Sequence, residues 1–395
     1  MFTQKSKKLI KLFVISYISY MSCYAARMNL TAASAALQEQ GIFKESQYGS
    51  IGSLFFVFYA VGRLINGTLG DHLRPRAMIV CGTTLIALCN LLLGLLPSFP
   101  IFAAAWAVNG FAQSMLYGPL LKNLTKNAEA DLQSKIASWL VSSICVGSIL
   151  GLMVGFFAAS LQVIRFAFII PGSIAFFASV IILLFYDDSL CKSNEKLQRS
   201  LLSTIRAKEI TSIMIPTLPH GVIKDNLSLW VVLYFTNVYH VDSAVTSLFV
   251  FAVPVTGLAA RLCYPTLYKM CRSSEFTVNI AMFSVLGLAM LPLVFSDPPI
   301  WAAAILICCV STGIQAINTS VLAIYPLRFQ KSENVSQVTG ILDFYTYIGA
   351  GIGAMVYGIV VERTGFRFVF GSWVFISLLS IGYLIRAKHV GRSNI

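Results

Sequence analysis

Arg27-Met28-Asn29-Leu30-Thr31 and Lys224-Asp225-Asn226-Leu227-Ser228 are two copies of one pattern: a cation, one further residue, then asparagine, leucine and a small hydroxyl residue. Each copy lies inside a long apolar run, the first of which reaches from Leu9 to Leu37. A charge at the centre of a membrane helix costs about 2.5–3.5 kcal/mol on insertion scales. Two such charges at matching places in the two halves of a chain therefore point to a site for something negative.

The rest of the chain supplies the membrane. Of its 395 residues 57% are hydrophobic and only 11% charged, and the mean hydropathy is +0.77. Soluble domains carry about 25% charged residues, so the composition is that of a polytopic membrane protein. Apolar runs of the ~20 residues that a spanning helix needs fall at 9–36, 48–70, 77–97, 100–121, 136–160, 164–186, 210–237, 243–268, 276–296, 299–325, 334–361 and 366–386. Twelve transmembrane helices are expected.

The net charge of +13 suggests a nucleic-acid partner until its distribution is followed. With both termini cytoplasmic, 21 of the 29 lysines and arginines fall in cytoplasmic segments, and only Lys44, Arg363 and Arg367 fall in outer loops. This is the positive-inside bias that orients helices in a plasma (inner) membrane. The excess charge is thus an orientation signal, and no nucleic-acid partner is implied.

Catalytic and cofactor chemistry find no foothold. The nine cysteines include no Cys-x-x-Cys pair and no outer-loop framework, so neither a metal site nor disulfides are indicated. No Gly-x-x-x-x-Gly-Lys-Ser/Thr run is present, which argues against ATP as a driver. Loops between the spans are too short for a soluble catalytic domain. A monomer without cofactor, embedded in a lipid bilayer and acting on a small anionic solute, is the expectation.

Further echoes divide the chain in two. Arg63-Leu64 returns as Arg261-Leu262, and Gly147, Gly151, Met153 and Val154 return as Gly349, Gly353, Met355 and Val356. Gly147-x-x-x-Gly151-x-x-x-Gly155 reads as a seam where two helices touch. Two parallel six-helix repeats explain these matches: an N-terminal bundle over 1–186, a charged cytoplasmic linker over 187–209 and a C-terminal bundle over 210–395. His220 and His240 are placed at or near helix ends and given no ligand role.

After the second span, Gly67, Asp71, Arg74 and Arg76 have the spacing of the loop signature of the major facilitator superfamily. The glycine is expected to let two helices approach closely, with the acid near helix ends and basic side chains that it can bridge. The resemblance implies the twelve-helix facilitator fold of two pseudo-symmetric bundles, with Gly67, Asp71, Arg74 and Arg76 as a cytoplasmic latch and the solute held between the halves. Within that superfamily the chain most resembles the organophosphate:phosphate antiporters. Tyr24-Ala25-Ala26-Arg27-Met28-Asn29 looks like their first-helix segment with a phosphate-binding arginine. Lys224 falls where the partner arginine stands in the seventh helix, and Arg63 falls where a lysine lines the cavity. Val338-Thr339-Gly340-Ile341-Leu342-Asp343 looks like the eleventh helix of the sugar-phosphate exchangers. Two positions depart from the family: Ser143 replaces a histidine, and Lys224 replaces a guanidinium and is followed at once by Asp225.

The expected substrate contacts are therefore Arg27, Lys224 and Arg63, with Tyr24, Asn29, Gln113, Asn226, Trp230, Gln315 and Tyr347 as polar or aromatic wall. Asp225 and Asp343 are candidates for salt bridges or coupling. The expected activity is secondary transport of a phosphorylated metabolite, a sugar phosphate or glycerol phosphate, in exchange for inorganic phosphate by alternating access. A proton-coupled symporter of an organic anion or sugar, and a transporter-like membrane sensor, are the alternatives.

Overall fold

A computed structural model describes residues 4–187, 208–242, 246, 249–272, 274–326, 328 and 335–392. It is all-helical over these residues. Two compact units divide the chain, Met1–Phe43 with Leu54–Asn194 and Lys44–Ser53 with Glu195–Ile395. The linker expected over 187–209 lies outside the described residues except for Asp187 and the start of the helix that follows.

The first unit contains α1 (Gln4–Glu39), all but the start of α2 (Glu45–His72), α3 (Pro75–Leu95), α4 (Phe99–Ser114), α5 (Tyr117–Asn127), α6 (Ala130–Ser160) and α7 (Phe166–Phe185). In the second are α8 (Lys208–Tyr239), α9 (Ala252–Met270), α10 (Glu275–Phe295), α11 (Ile300–Thr319), α12 (Val335–Thr364) and α13 (Phe366–Arg392). α11 runs on into one π-helical turn, Ser320–Ile324.

Nine of the described helices are long and apolar enough to cross a membrane. The others are α4 and α5, each short, and α8 and α9, whose Lys224, Asp225, Arg261 and Lys269 lower the mean hydropathy. Counted with α4 and α5 as one passage, the described helices make the twelve expected. Their outward faces are greasy: Phe157 is 64% exposed, Leu288 67% and Phe295 79%. Water would penalise that surface, and acyl chains do not.

The fourth span departs from its expected continuous helix. It breaks at Met115 and Leu116, whose N–H groups turn back to the carbonyls of Ala112 and Gln113 at 3.1 and 3.3 Å. Pro119 is the cause. It has no N–H to bond the carbonyl four residues earlier, at Met115, and its ring crowds that carbonyl. A proline is tolerated in the first turn of a new helix, so α5 starts at Tyr117 and runs six residues beyond the expected end.

Glycine seams set the helix that carries each cation. α6 packs along α1 so closely that a Cβ on Gly147 or Gly151 would strike the backbone carbonyls of Met21 and Ala25, and one on Gly155 would meet Ala32. In the second unit α12 packs along α8 in the same manner, with Gly349 against the Leu218 carbonyl and Gly353 against Asn226. Small residues let backbones approach, and dispersion between them holds membrane helices together. The first turns of α2 belong to the second unit: the Tyr48 hydroxyl donates to the Leu229 carbonyl at 2.9 Å, and Gly49 meets the backbone of Ala354 and Gly358.

Candidate functional site

Pinned by its seam, α1 presents Arg27 to an aromatic box. The guanidinium carbon lies 4.8 Å from the centre of the Phe55 ring, 5.5 Å from Tyr24, 5.7 Å from Phe56 and 5.9 Å from Tyr59. Ring faces carry negative quadrupole density, which holds a cation without cancelling its formal charge. Phe55, Phe56, Tyr59 and Arg63 follow one another along α2, and the Arg63 guanidinium lies 6.0 Å from Tyr59 and 5.9 Å from Tyr117 of α5. Two guanidiniums thus flank one tyrosine. Tyr20 extends the cluster, with its ring 5.3 Å from Tyr24 and 5.5 Å from Tyr117.

The second unit treats its cations differently. Lys224 Nζ is 3.2 Å from Asp225 Oδ2, and the two side chains are only 11% and 9% exposed. The same ammonium sits 4.8 Å from the centre of the Tyr347 ring on α12. Asp343, one turn before Tyr347, is buried. On α9, half-buried Arg261 donates from Nε and Nη2 to the single amide oxygen of Gln315 on α11, at 3.3 and 2.7 Å. Gly257, one turn earlier, leaves room for the Gln315 side chain. Arg261 was not among the expected contacts. Its signal was present as the echo of Arg63-Leu64.

Several expected wall residues make packing contacts within their own unit. Asn29 is fully buried and donates from Nδ2 to Asn90 Oδ1 at 2.8 Å and to the Ala167 carbonyl at 2.9 Å, tying α1 to α3 and α7. Its counterpart Asn226 is also fully buried and bonds the carbonyls of Val222 and Ala350 at 2.8 and 3.1 Å. The amide nitrogens are thus satisfied, as an unpaired donor in an apolar interface is costly, while neither Oδ1 has a hydrogen-bond partner among the described residues. Gln113 donates to Asn109 within α4. Trp230 packs edge-on to Tyr48 and Phe366. His220 is buried within α8 and is not at its end.

At the latch, Arg74 caps the start of α3 just before Pro75 and Arg76 follows in its first turn. The side chain of Asp71 lies outside the described residues. A Cβ on Gly67 would meet nothing within 4 Å among the described residues.

The sequence profile of the Major Facilitator Superfamily matches residues 16–341. The chain belongs to that superfamily. This facilitator is 24% identical over 394 residues to the phosphoglycerate transporter protein of Salmonella typhimurium, a match covering 88% of the chain and 82% of that relative. It is 27% identical over 148 residues to a probable hexose phosphate transport protein of Chlamydia pneumoniae, across 37% of the chain and 32% of the relative. A crystal structure of the nucleoside transporter NupG shares the fold, with a TM-score of 0.78 over 96% of the chain and 99% of NupG at 13% identity. Superfamily membership makes the chain an integral membrane transporter and not an enzyme.

Proposed function

We propose that this facilitator carries a small phosphorylated metabolite across the membrane and exchanges it for inorganic phosphate by alternating access. Arg27 is the principal phosphate contact. Lys224, Arg63, Tyr24 and Tyr347 are further contacts. The observation that carries the reading is the aromatic box around Arg27. It keeps a guanidinium charged inside a membrane helix, and the planar fork of that group matches phosphate oxygens two at a time. Relatives named for phosphoglycerate and hexose phosphate support the same class of solute. Both termini face the cytoplasm in this reading, which the distribution of lysine and arginine supports.

Purified protein in vesicles loaded with inorganic phosphate should take up labelled glucose 6-phosphate, glycerol 3-phosphate or 3-phosphoglycerate. Vesicles without internal phosphate should not. Uptake that ignores internal phosphate and collapses with an uncoupler would replace exchange by proton symport, and binding without uptake would favour a sensor.

A further inference from the structure

We infer that the cleft between α6 and α7 at the N-terminal end of α1 binds one anionic phospholipid, with its phosphate at Lys7 and Lys11 and an acyl chain over Ile10 and Val14. The course of α6 opens this cleft. Ile10, Val14, Met21, Ala25 and Ala32 fall on one stripe of α1, within about 60° of one another. Glycines of α6 cover the far part of the stripe, Gly147 and Gly151 against Met21 and Ala25, and Gly155 against Ala32. Toward the N-terminal end α6 leaves the stripe for one flank, where the Trp139 ring lies 6.2 Å from Phe13 and the Ser142 and Tyr17 hydroxyls are 3.2 Å apart. On the other flank α7 brings the Phe185 ring 5.7 Å from Lys11 Nζ. Ile10 and Val14 lie between these two walls and remain 48% and 47% exposed.

Charge identifies the occupant. Lys7 and Lys11, one turn apart, are exposed at the rim, and among the described residues neither has a carboxylate within ion-pair distance. Asp187, two residues past Phe185, pairs with neither. An apolar groove alone would not select a lipid, since acyl chains are as apolar as the side chains around them. Basic pockets between membrane helices do select, by holding anionic headgroups at the interface. The exposed Trp139 suits that depth, because tryptophan collects where headgroups meet the apolar core. A phosphate diester with an uncharged headgroup therefore fits, and one whose own ammonium offsets the phosphate fits less well. The cleft is separate from the box around Arg27, which leaves α1 about a third of a turn from the stripe.

The test is quenching of Trp139 fluorescence by brominated acyl chains, in vesicles of equal phosphatidylglycerol and phosphatidylcholine with the bromine on one lipid or on the other. The Trp139 signal is the difference that Trp139→Phe makes in each protein. The native protein should favour phosphatidylglycerol about tenfold. Lys7→Gln with Lys11→Gln should bring the two lipids to within about twofold of each other. Lys7→Arg with Lys11→Arg keeps both charges, guards against a folding defect and should keep the preference. Lys269→Gln with Arg272→Gln, which removes the same charge from the second unit, should keep it too. Equal quenching by the two lipids in the native protein overturns the inference. So does a loss of preference as large in the Lys269 and Arg272 variant as in the Lys7 and Lys11 variant, which would make the attraction one of net charge and not of this cleft. Either result leaves the phosphate-exchange reading standing, because no solute enters the measurement.

Discussion

The two units keep their intramembrane cations by opposite means. In the first, Arg27 and Arg63 are wrapped in rings, which attract a cation but cannot neutralise it. In the second, Lys224 is paired with the adjacent Asp225, while Arg261 is steadied by a neutral amide. Cation–π contacts are worth about 0.5–1 kcal/mol at exposed sites and about 2 or more when desolvated. A paired buried charge, by contrast, gives its Coulomb attraction to its partner and has little left for a ligand. Two helices with the same echo in sequence therefore differ in what they can offer an anion.

The largest effect that sharpens this comparison is in the second unit. Lys224→Met or Asp225→Asn alone breaks the buried pair and should cost about 3–5 kcal/mol of stability, whereas the double variant should be close to neutral. Thermal unfolding in detergent measures all three, and additive losses would deny the pairing. Next come the seams: Gly151→Leu in one unit and Gly353→Leu in the other should each cost about 1–3 kcal/mol through overpacking, read by the same unfolding assay. If only one does, the two units are not packed alike. Tyr59→Leu removes the ring shared by Arg27 and Arg63 and should weaken phosphate-ester binding by about 1 kcal/mol, roughly fivefold, in calorimetric titration. Asn29→Ala and Asn226→Ala should be the mildest, at about 0.6 kcal/mol of stability each, with ester affinity unchanged. A change in affinity as large as that of Tyr59→Leu would return either asparagine to the binding wall.

The fold was legible because membrane helices announce themselves by length and composition, and because the echoes at Arg27 and Lys224, at Arg63 and Arg261, and at the two glycine seams survive in sequence. The break at Met115 was not, since the run from Phe99 to Leu121 carries no charge and the proline that causes the break lies four residues further on. The packing partners of the asparagines were hidden for a physical reason. A repeat preserves packing contacts as faithfully as binding contacts, so position alone cannot separate Asn29 from Arg27. Partners decide it, and those of Asn29 lie 61 and 138 residues away in sequence. The Lys224–Asp225 pair was visible because its members are neighbours. The Arg261–Gln315 pair, separated by 54 residues with one helix between, needed coordinates.

Calorimetric titration of glycerol 3-phosphate into purified native protein, Arg27→Gln and the Lys224→Met/Asp225→Asn double variant asks directly which unit supplies the charge that holds phosphate. Loss of at least about 100-fold in affinity for Arg27→Gln, near 2.7 kcal/mol, with the double variant staying within about tenfold of native, is the predicted result. Native-like affinity in Arg27→Gln, or collapse of binding in the double variant alone, would contradict the account.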